Sequence, residues 1–201
     1  MYPKARIDAL TDGIFAVAMT ILVLDLRLPE DFHPVDDGAM ARALLELWPK
    51  LFPYALSFYV LGSIWLAATK LRTRAEFFDK HYASWWLLQL LLATCLPFSS
   101  SVIGRFASHA PSIWLYSANL AALAAVGLRL VTLTPGLEDD AHTLDRQVSL
   151  VILMGTSLLC VGLSLINPAQ ALWIFALNVV ASPMARRLGA RRAARRGKPT
   201  A

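Results

Sequence analysis

The chain carries little charge and almost no cysteine for its length. Only 16% of its 201 residues are Asp, Glu, Lys or Arg, and 57% are apolar. Soluble domains usually carry about 25% charged residues. The two cysteines, Cys95 and Cys160, lie within apolar stretches. They are therefore expected to be small buried side chains, and they carry no information about redox compartment.

The sequence also lacks the motifs of common nucleotide and metal chemistry. It contains no GxxxxGK[ST] loop, no CxxC pair and no HExxH helix. The four histidines are scattered without metal-ligand spacing: His33, His81, His109 and His142. We therefore expect no metal site and no cofactor. An intramembrane enzyme is disfavoured because the polar residues in apolar stretches (Ser57, Gln89, Asn119 and Asn178) form no recognisable catalytic set.

The apolar residues are gathered in long blocks separated by short charged stretches. The mean hydropathy is +0.52, and the blocks lie roughly at 6–27, 47–70, 84–104, 112–134, 147–166 and 168–187. This pattern is typical of a polytopic helical membrane protein, since helices satisfy every backbone polar group in lipid. The sequence predicts an all-α fold with six transmembrane helices in a domain over 1–188, followed by a basic tail over 189–201.

Charge in the loops predicts the orientation of the chain. Six spans place both termini on one side, and that side holds fifteen of the 19 Lys and Arg residues. The positive-inside rule then predicts cytoplasmic termini in a multi-pass protein of the cell (inner) membrane. The basic tail adjoins a membrane span, so its expected partner is anionic lipid and not nucleic acid.

Some irregular features interrupt the spans. A short amphipathic helix is predicted at about 38–46, leading into the second span. Pro53 is expected to kink the second span or to lie in its first turn. Pro97 is expected to break the third helix and to free carbonyls that neighbouring serines partly cover.

The first span contains a short apolar or neutral run, Gly13 to Leu24, between two acids. A helix would hold the carboxylates of Asp12 and Asp25 about 20 Å apart along its axis. A helix fully surrounded by lipid needs about 20 apolar residues. We therefore expect the first helix to share the membrane interior with protein or water, because acids at membrane depth are usually sheltered or face a cavity.

A helical wheel of the first span places Val17, Ile21 and Leu24 on one narrow stripe, flanked by Gly13 and Thr20. Such a stripe usually packs in the core of its own subunit. Alternatively, copies of the stripe around a symmetry axis would form stacked apolar rings that control water and ion passage by dewetting.

The first span resembles the signature of the transmembrane protein 175 potassium channels in their bacterial form. That signature is R-x-x-x-F-S-D-G followed by A-x-A-M-T, and the chain retains Arg6, Asp12, Gly13, Ala16, Ala18, Met19 and Thr20. It departs from the signature at Leu10 and Thr11. Weaker similarities follow in the second and third spans, at Tyr54, Ser57, Phe58 and Trp65 and at Pro97-Phe98-Ser99.

The resemblance implies a potassium-permeable channel, a homotetramer in bacteria, lined by the first helix of each subunit. It implies that Val17 forms the narrowest ring and that Ile21 and Leu24 form the next rings. Valine is smaller than the expected isoleucine or leucine, which predicts a wider constriction. Thr20 is a possible ion contact, with a hydrogen bond to its own helix as the alternative.

The remaining signature residues are expected to act structurally. We expect Asp12 to accept hydrogen bonds from other helices or to pair with a cation, and we assign structural roles to Arg6 and Gly13. Asp25 would lie at the outer mouth, either concentrating cations or as a solvated helix-end acid. Because the chain has no TVGYG stretch, a filter built of backbone carbonyls is not expected.

Two further hypotheses compete with the channel. A proton-coupled or solute transporter would use the first-helix acids and would show uptake driven by pH. A membrane scaffold would show no transport.

Overall fold

The computed structural model describes residues 1–69, 75–134, 141–171 and 174. The helices are α1 (Lys4–Ile21), α2 (Asp37–Leu45), α3 (Trp48–Thr69), α4 (Lys80–Arg105), α5 (Ala110–Leu133), α6 (Ala141–Ser164) and α7 (Pro168–Ala171). A 3-10 turn, Leu22–Asp25, continues α1. Two short strands, β1 (Tyr2–Pro3) and β2 (Phe77–Phe78), pair antiparallel.

Five of these helices are long and apolar enough to cross a membrane: Lys4–Asp25, Trp48–Thr69, Lys80–Arg105, Ala110–Leu133 and Thr143–Ser164. They coincide within a few residues with the first five predicted spans, so those predictions are confirmed. The predicted span at 168–187 begins with α7, but most of it lies outside the described residues. The basic tail at 189–201 also lies outside them.

The predicted amphipathic helix is confirmed as α2. Its N-terminus is capped by Asp36, whose Oδ1 accepts a hydrogen bond of 2.5 Å from the backbone N–H of Ala39. An acidic N-cap satisfies one of the free N–H groups at a helix start. The sequence around 38–46 therefore specifies this helix locally.

The structure contradicts the predicted break at Pro97, and the predicted kink at Pro53 stays a prediction. Pro53 and Pro97 both lie inside continuous helices, so the expected break at Pro97 is wrong. The hydroxyl of Ser99 donates 3.1 Å to the carbonyl of Leu96, and the amide of Asn119 on α5 lies 3.1 Å from the same hydroxyl. Polar side chains from α4 and α5 thus meet beside Pro97 inside a continuous helix.

The pairing of β1 with β2 was not predicted. Tyr2 lies opposite Phe78, and the first N–H of α1, on Lys4, donates 2.8 Å to the carbonyl of Glu76. This pairing ties the start of α1 to the segment that enters α4. The strands have two residues each, too few for an alternating pattern to be visible in the sequence.

The core of the subunit lies between α3, α4 and α5. Leu61, Leu96 and Ile103 are completely buried there. Ser57 and Tyr116 are also completely buried, and their hydroxyl oxygens lie 2.9 Å apart, which joins α3 to α5 by a hydrogen bond. A satisfied polar pair of this kind fixes the register of two apolar helices.

Helix α1 lies at the edge of this arrangement and packs against α3 and α4. Only 22% of the residues in the most apolar stretch of α1 are buried, against 56% in the corresponding stretch of α5. The buried residues of its membrane-depth half are Phe15 and Ala18, followed by Leu22 in the 3-10 turn. One face of α1 is therefore left uncovered by its own subunit.

Close packing of α5 on α6 depends on Gly127. A Cβ atom placed there would lie 3.1 Å from both terminal methyl carbons of Leu150. Small residues at helix interfaces allow such approach between apolar helices in membranes.

We expect Gly127→Val to lower the free energy of unfolding by about 1–3 kcal/mol, because the larger side chain overpacks the contact with Leu150. Unfolding of the purified protein in detergent measures this change. Gly155→Val is the matched control, since nothing lies within 4 Å of a Cβ atom at Gly155. Equal stability of the two variants would contradict the assigned packing.

Candidate functional site

The candidate site is the uncovered face of α1. Val17 is 55% exposed, Ile21 is 45% exposed and Leu24 is 68% exposed. On the opposite face, Phe15 and Ala18 are buried against the subunit core. The wheel analysis therefore grouped the three stripe residues correctly on one face, and they do not pack in the core of their own subunit.

Gly13 lies on the same uncovered face, one turn before Val17. Nothing lies within 4 Å of the position that its Cβ atom would occupy. Within one subunit, space therefore does not require glycine at this position. The structural role that the resemblance implies for Gly13 stays a prediction.

The hydroxyl of Thr20 is bonded to its own helix. Its Oγ1 lies 3.0 Å from the carbonyl of Ala16 and 2.9 Å from that of Val17, and the side chain is exposed. This is the back-bond that the sequence analysis held as the alternative to ion contact. The back-bond uses the hydroxyl proton and leaves oxygen lone pairs available on the uncovered face.

At the N-terminal end of the site, indole groups hold α1 in place. Trp65 on α3 donates from Nε1 to Asp12 Oδ1 at 2.7 Å. Trp86 on α4 donates from Nε1 to Thr11 Oγ1 at 2.8 Å. Asp12 thus accepts a hydrogen bond from another helix, in agreement with its expected structural role.

Arg6 is exposed on the first turns of α1. Nearby, Lys4 and Asp8 form an ion pair on the same helix. Within the described ranges, the ion pairs do not include Arg6. The structural role expected for Arg6 therefore stays a prediction.

At the other end of the site, Asp25 binds α4. Its Oδ1 accepts hydrogen bonds from Ser101 Oγ at 2.7 Å, from Arg105 Nη2 at 2.6 Å and from Arg105 Nε at 3.2 Å. The Asp25 side chain is only 18% exposed. The sequence analysis placed Asp25 at an outer mouth, and in the structure its charge is balanced by Arg105 within the subunit.

Sequence analysis missed the partners of these two acids. Arg105 was recognisable as one of only four basic residues on the predicted outer side. It was therefore a candidate ion-pair partner for a buried or half-buried acid on that side. No pattern in the sequence pointed to Ser101. Trp65 and Trp86 were noticeable as aromatic residues within spans, but their pairing with Asp12 and Thr11 joins residues 53 and 75 positions apart.

The site contains no obvious metal centre. In the part of the chain that the structure describes, no three His, Cys, Asp or Glu residues form a group that could hold a metal ion. The chemistry available on the uncovered face of α1 is therefore that of aliphatic side chains and one hydroxyl.

Asp25→Asn is expected to lower the free energy of unfolding by about 1 kcal/mol, because the variant loses a two-nitrogen ion pair that is partly shielded from water. The double variant Asp25→Asn/Arg105→Gln should lose less free energy of unfolding than the two single variants lose in sum. Unfolding in detergent measures this coupling. Glu30→Gln is the control, since Glu30 pairs with Arg27 in an exposed position. Additive effects of Asp25→Asn and Arg105→Gln on the free energy of unfolding would contradict an interaction between these two side chains.

The chain is similar to known channel proteins over part of its length. The model of the family described as endosomal/lysosomal potassium channel TMEM175 matches residues 6–97. A protein from Chamaesiphon minutus named a potassium channel is 30% identical over 104 residues, which are 52% of this chain and 51% of that protein. A protein of Streptomyces collinus with the same kind of name is 29% identical over 129 residues, 62% of this chain and 61% of that protein.

A solved structure is also similar in fold. The crystal structure of a lysosomal potassium-selective channel TMEM175 homolog from Chamaesiphon minutus superposes with a TM-score of 0.74 at 25% sequence identity. The match covers 90% of this chain and 97% of that chain. The matches to the two named relatives span about half to three-fifths of their length. The family model, the two relatives and the solved structure agree with the first-helix signature, and over residues 6–97, a little less than half of its length, the chain is similar to the TMEM175 channels.

Proposed function

We propose that four copies of the chain form a potassium-permeable channel in which α1 of each copy lines a central pore. The observation that carries this proposal is the position of α1 at the edge of the subunit with an exposed apolar stripe. The stripe lies wholly within the region that the family model matches. A second copy of the chain is the partner that would cover it in a closed ring.

In this channel, Val17, Ile21 and Leu24 form three stacked apolar rings. An aliphatic ring offers no ligand to a cation, so a passing ion keeps its water or loses hydration energy, and a narrow ring empties of water. Selectivity then depends on ring diameter and dehydration cost. Conduction is slow and discrimination modest, since no ring of carbonyl oxygens replaces the hydration shell.

Thr20 supplies the polar contact next to the narrowest ring. Its hydroxyl proton is held by the carbonyls of Ala16 or Val17, so its lone pairs are directed away from the helix. Four such oxygens around the axis would coordinate a partly dehydrated potassium ion just beyond Val17.

The acids of α1 hold the helix in this channel and do not carry ions. Asp12 is bound by the indole of Trp65, and Asp25 by Arg105 and Ser101. An apolar stripe fixed at both ends keeps its rings in register across the subunits. The membrane, with the predicted cytoplasmic termini, is the setting of this activity, and no enzymatic role is assigned.

The test is potassium flux against sodium flux into proteoliposomes, for the wild type and for Val17→Asn. We expect potassium flux to exceed sodium flux. An amide at the narrowest ring attracts water, so Val17→Asn should raise the total flux and change the ratio of potassium flux to sodium flux. A change of about 1.4 kcal/mol in the dehydration barrier of one ion would change the flux of that ion about tenfold.

Val151→Asn is the matched control, because Val151 on α6 is 52% exposed and lies outside the proposed pore. Robust flux that Val17→Asn leaves unchanged would place the constriction elsewhere. Absence of flux for both ions from a folded oligomer would reject the channel and favour a scaffold.

The transporter hypothesis is tested with the same vesicles under a pH gradient. Asp12→Asn keeps an oxygen that accepts the Trp65 hydrogen bond but removes the titratable proton. The channel proposal expects ion flux in this variant to stay within about twofold of the wild type, because retaining the hydrogen bond keeps α1 in place. Uptake that follows the pH gradient and disappears in Asp12→Asn would instead support proton coupling.

A further inference from the structure

A cavity lies inside the subunit, behind α1 and away from the uncovered stripe. Its volume is about 300 Å³. Helices α1, α3, α4, α5 and α6 line it near the end of the bundle that carries the N-terminus, and its lining includes Lys4 and Thr69. We call this space the inner cavity. The proposed pore makes no use of it.

The floor of the inner cavity carries an unsatisfied amide. Gln89 is 4% exposed, and neither its Oε1 nor its Nε2 has a hydrogen-bond partner among the described residues. Gln89 lies nine residues after the start of α4, which is about 13 Å along the helix. A buried amide left without partners is costly, so native proteins rarely keep one unless it meets water or a ligand.

One wall of the inner cavity carries a buried cation. Arg146 on α6 is 9% exposed, and the ion pairs among the described ranges do not include it. Its electrostatic neighbour is Tyr82, a phenol that is neutral at physiological pH. A buried charge is stable only when a counter-charge or a full set of hydrogen bonds compensates it.

The acids on the α1 side of the cavity are already engaged. Asp8 pairs with Lys4, and Asp12 accepts the indole hydrogen bond of Trp65. Both acids are exposed at the rim. Arg146 and Gln89 line the same cavity and supply it with a cation and two amide N–H donors.

We propose that the inner cavity binds a phosphate group through Arg146 and Gln89. The guanidinium presents a planar fork of N–H donors that matches phosphate oxygens, and the amide adds two further donors. The volume exceeds that of one phosphate ion, which leaves room for part of an ester. The source is either free phosphate or the headgroup of an anionic phospholipid.

The test is calorimetric titration of the purified full chain in neutral detergent with inorganic phosphate, at constant ionic strength set by chloride. We expect saturable binding with one site per chain. Arg146→Gln should weaken it by about tenfold or more, because a charge-assisted fork is lost. Arg129→Gln is the matched control, since Arg129 is an exposed arginine on α5 that does not line the cavity.

A second variant separates binding from folding. Gln89→Leu removes the two unpaired polar atoms at similar volume, so the phosphate-free protein should melt at the same or a higher temperature. The increase in melting temperature that phosphate causes in the wild type should disappear in this variant. A Gln89→Leu protein that keeps the full phosphate response would overturn the proposal.

Two types of vesicle identify the source of the phosphate group. Phosphate binding in phosphatidylcholine vesicles but not in phosphatidic acid vesicles would assign the cavity to a lipid headgroup, and equal binding in both would assign it to a soluble phosphate.

The acids Glu138, Asp139 and Asp140 lie outside the described residues. Phosphate binding that appears only after E138Q/D139N/D140N would identify them as the counter-charge and overturn the proposal, as would absence of binding in the wild type.

Discussion

The position of α1 depends on polar ties at its two ends. In a membrane, apolar contact alone gives helices little preference for one another over lipid, so hydrogen bonds and close packing decide how they associate. Here the ties are Trp65 with Asp12 at one end and Arg105 with Asp25 at the other. Between them, Phe15 and Ala18 pack inwards. The opposite face is thereby presented outwards as an ordered apolar stripe.

Hydrogen bonds between polar side chains also stabilise the interior of the subunit. Ser57 and Tyr116 satisfy each other at full burial, and the Ser99 hydroxyl supports α4 next to Pro97. Against this background, the unpaired amide of Gln89 is an exception. Its location beside a buried arginine is the reason for assigning a ligand to the inner cavity and not to the better satisfied parts of the core.

The proposed pore and the inner cavity would use opposite faces of α1. The outward face offers aliphatic groups and the lone pairs of Thr20, which suit an ion that keeps most of its water. Behind the helix, the cavity offers a guanidinium and an amide, which suit an oxyanion. Thr11 and Asp12, which line the inner cavity, lie on the same helix as the stripe.

The sequence by itself determined the five described membrane helices, the amphipathic helix α2, the similarity to the TMEM175 channels and the grouping of the α1 stripe, because hydropathy, helical periodicity and a local signature need no distant contact. The break that the sequence predicted at Pro97 was wrong, because α4 continues through this residue, beside Ser99 and Asn119. Only the tertiary structure decided that Asp25 meets Arg105 and that Gln89 and Arg146 share a cavity. These pairs are brought together by helix packing, and residues 80 and 57 positions apart leave no periodic trace in the chain.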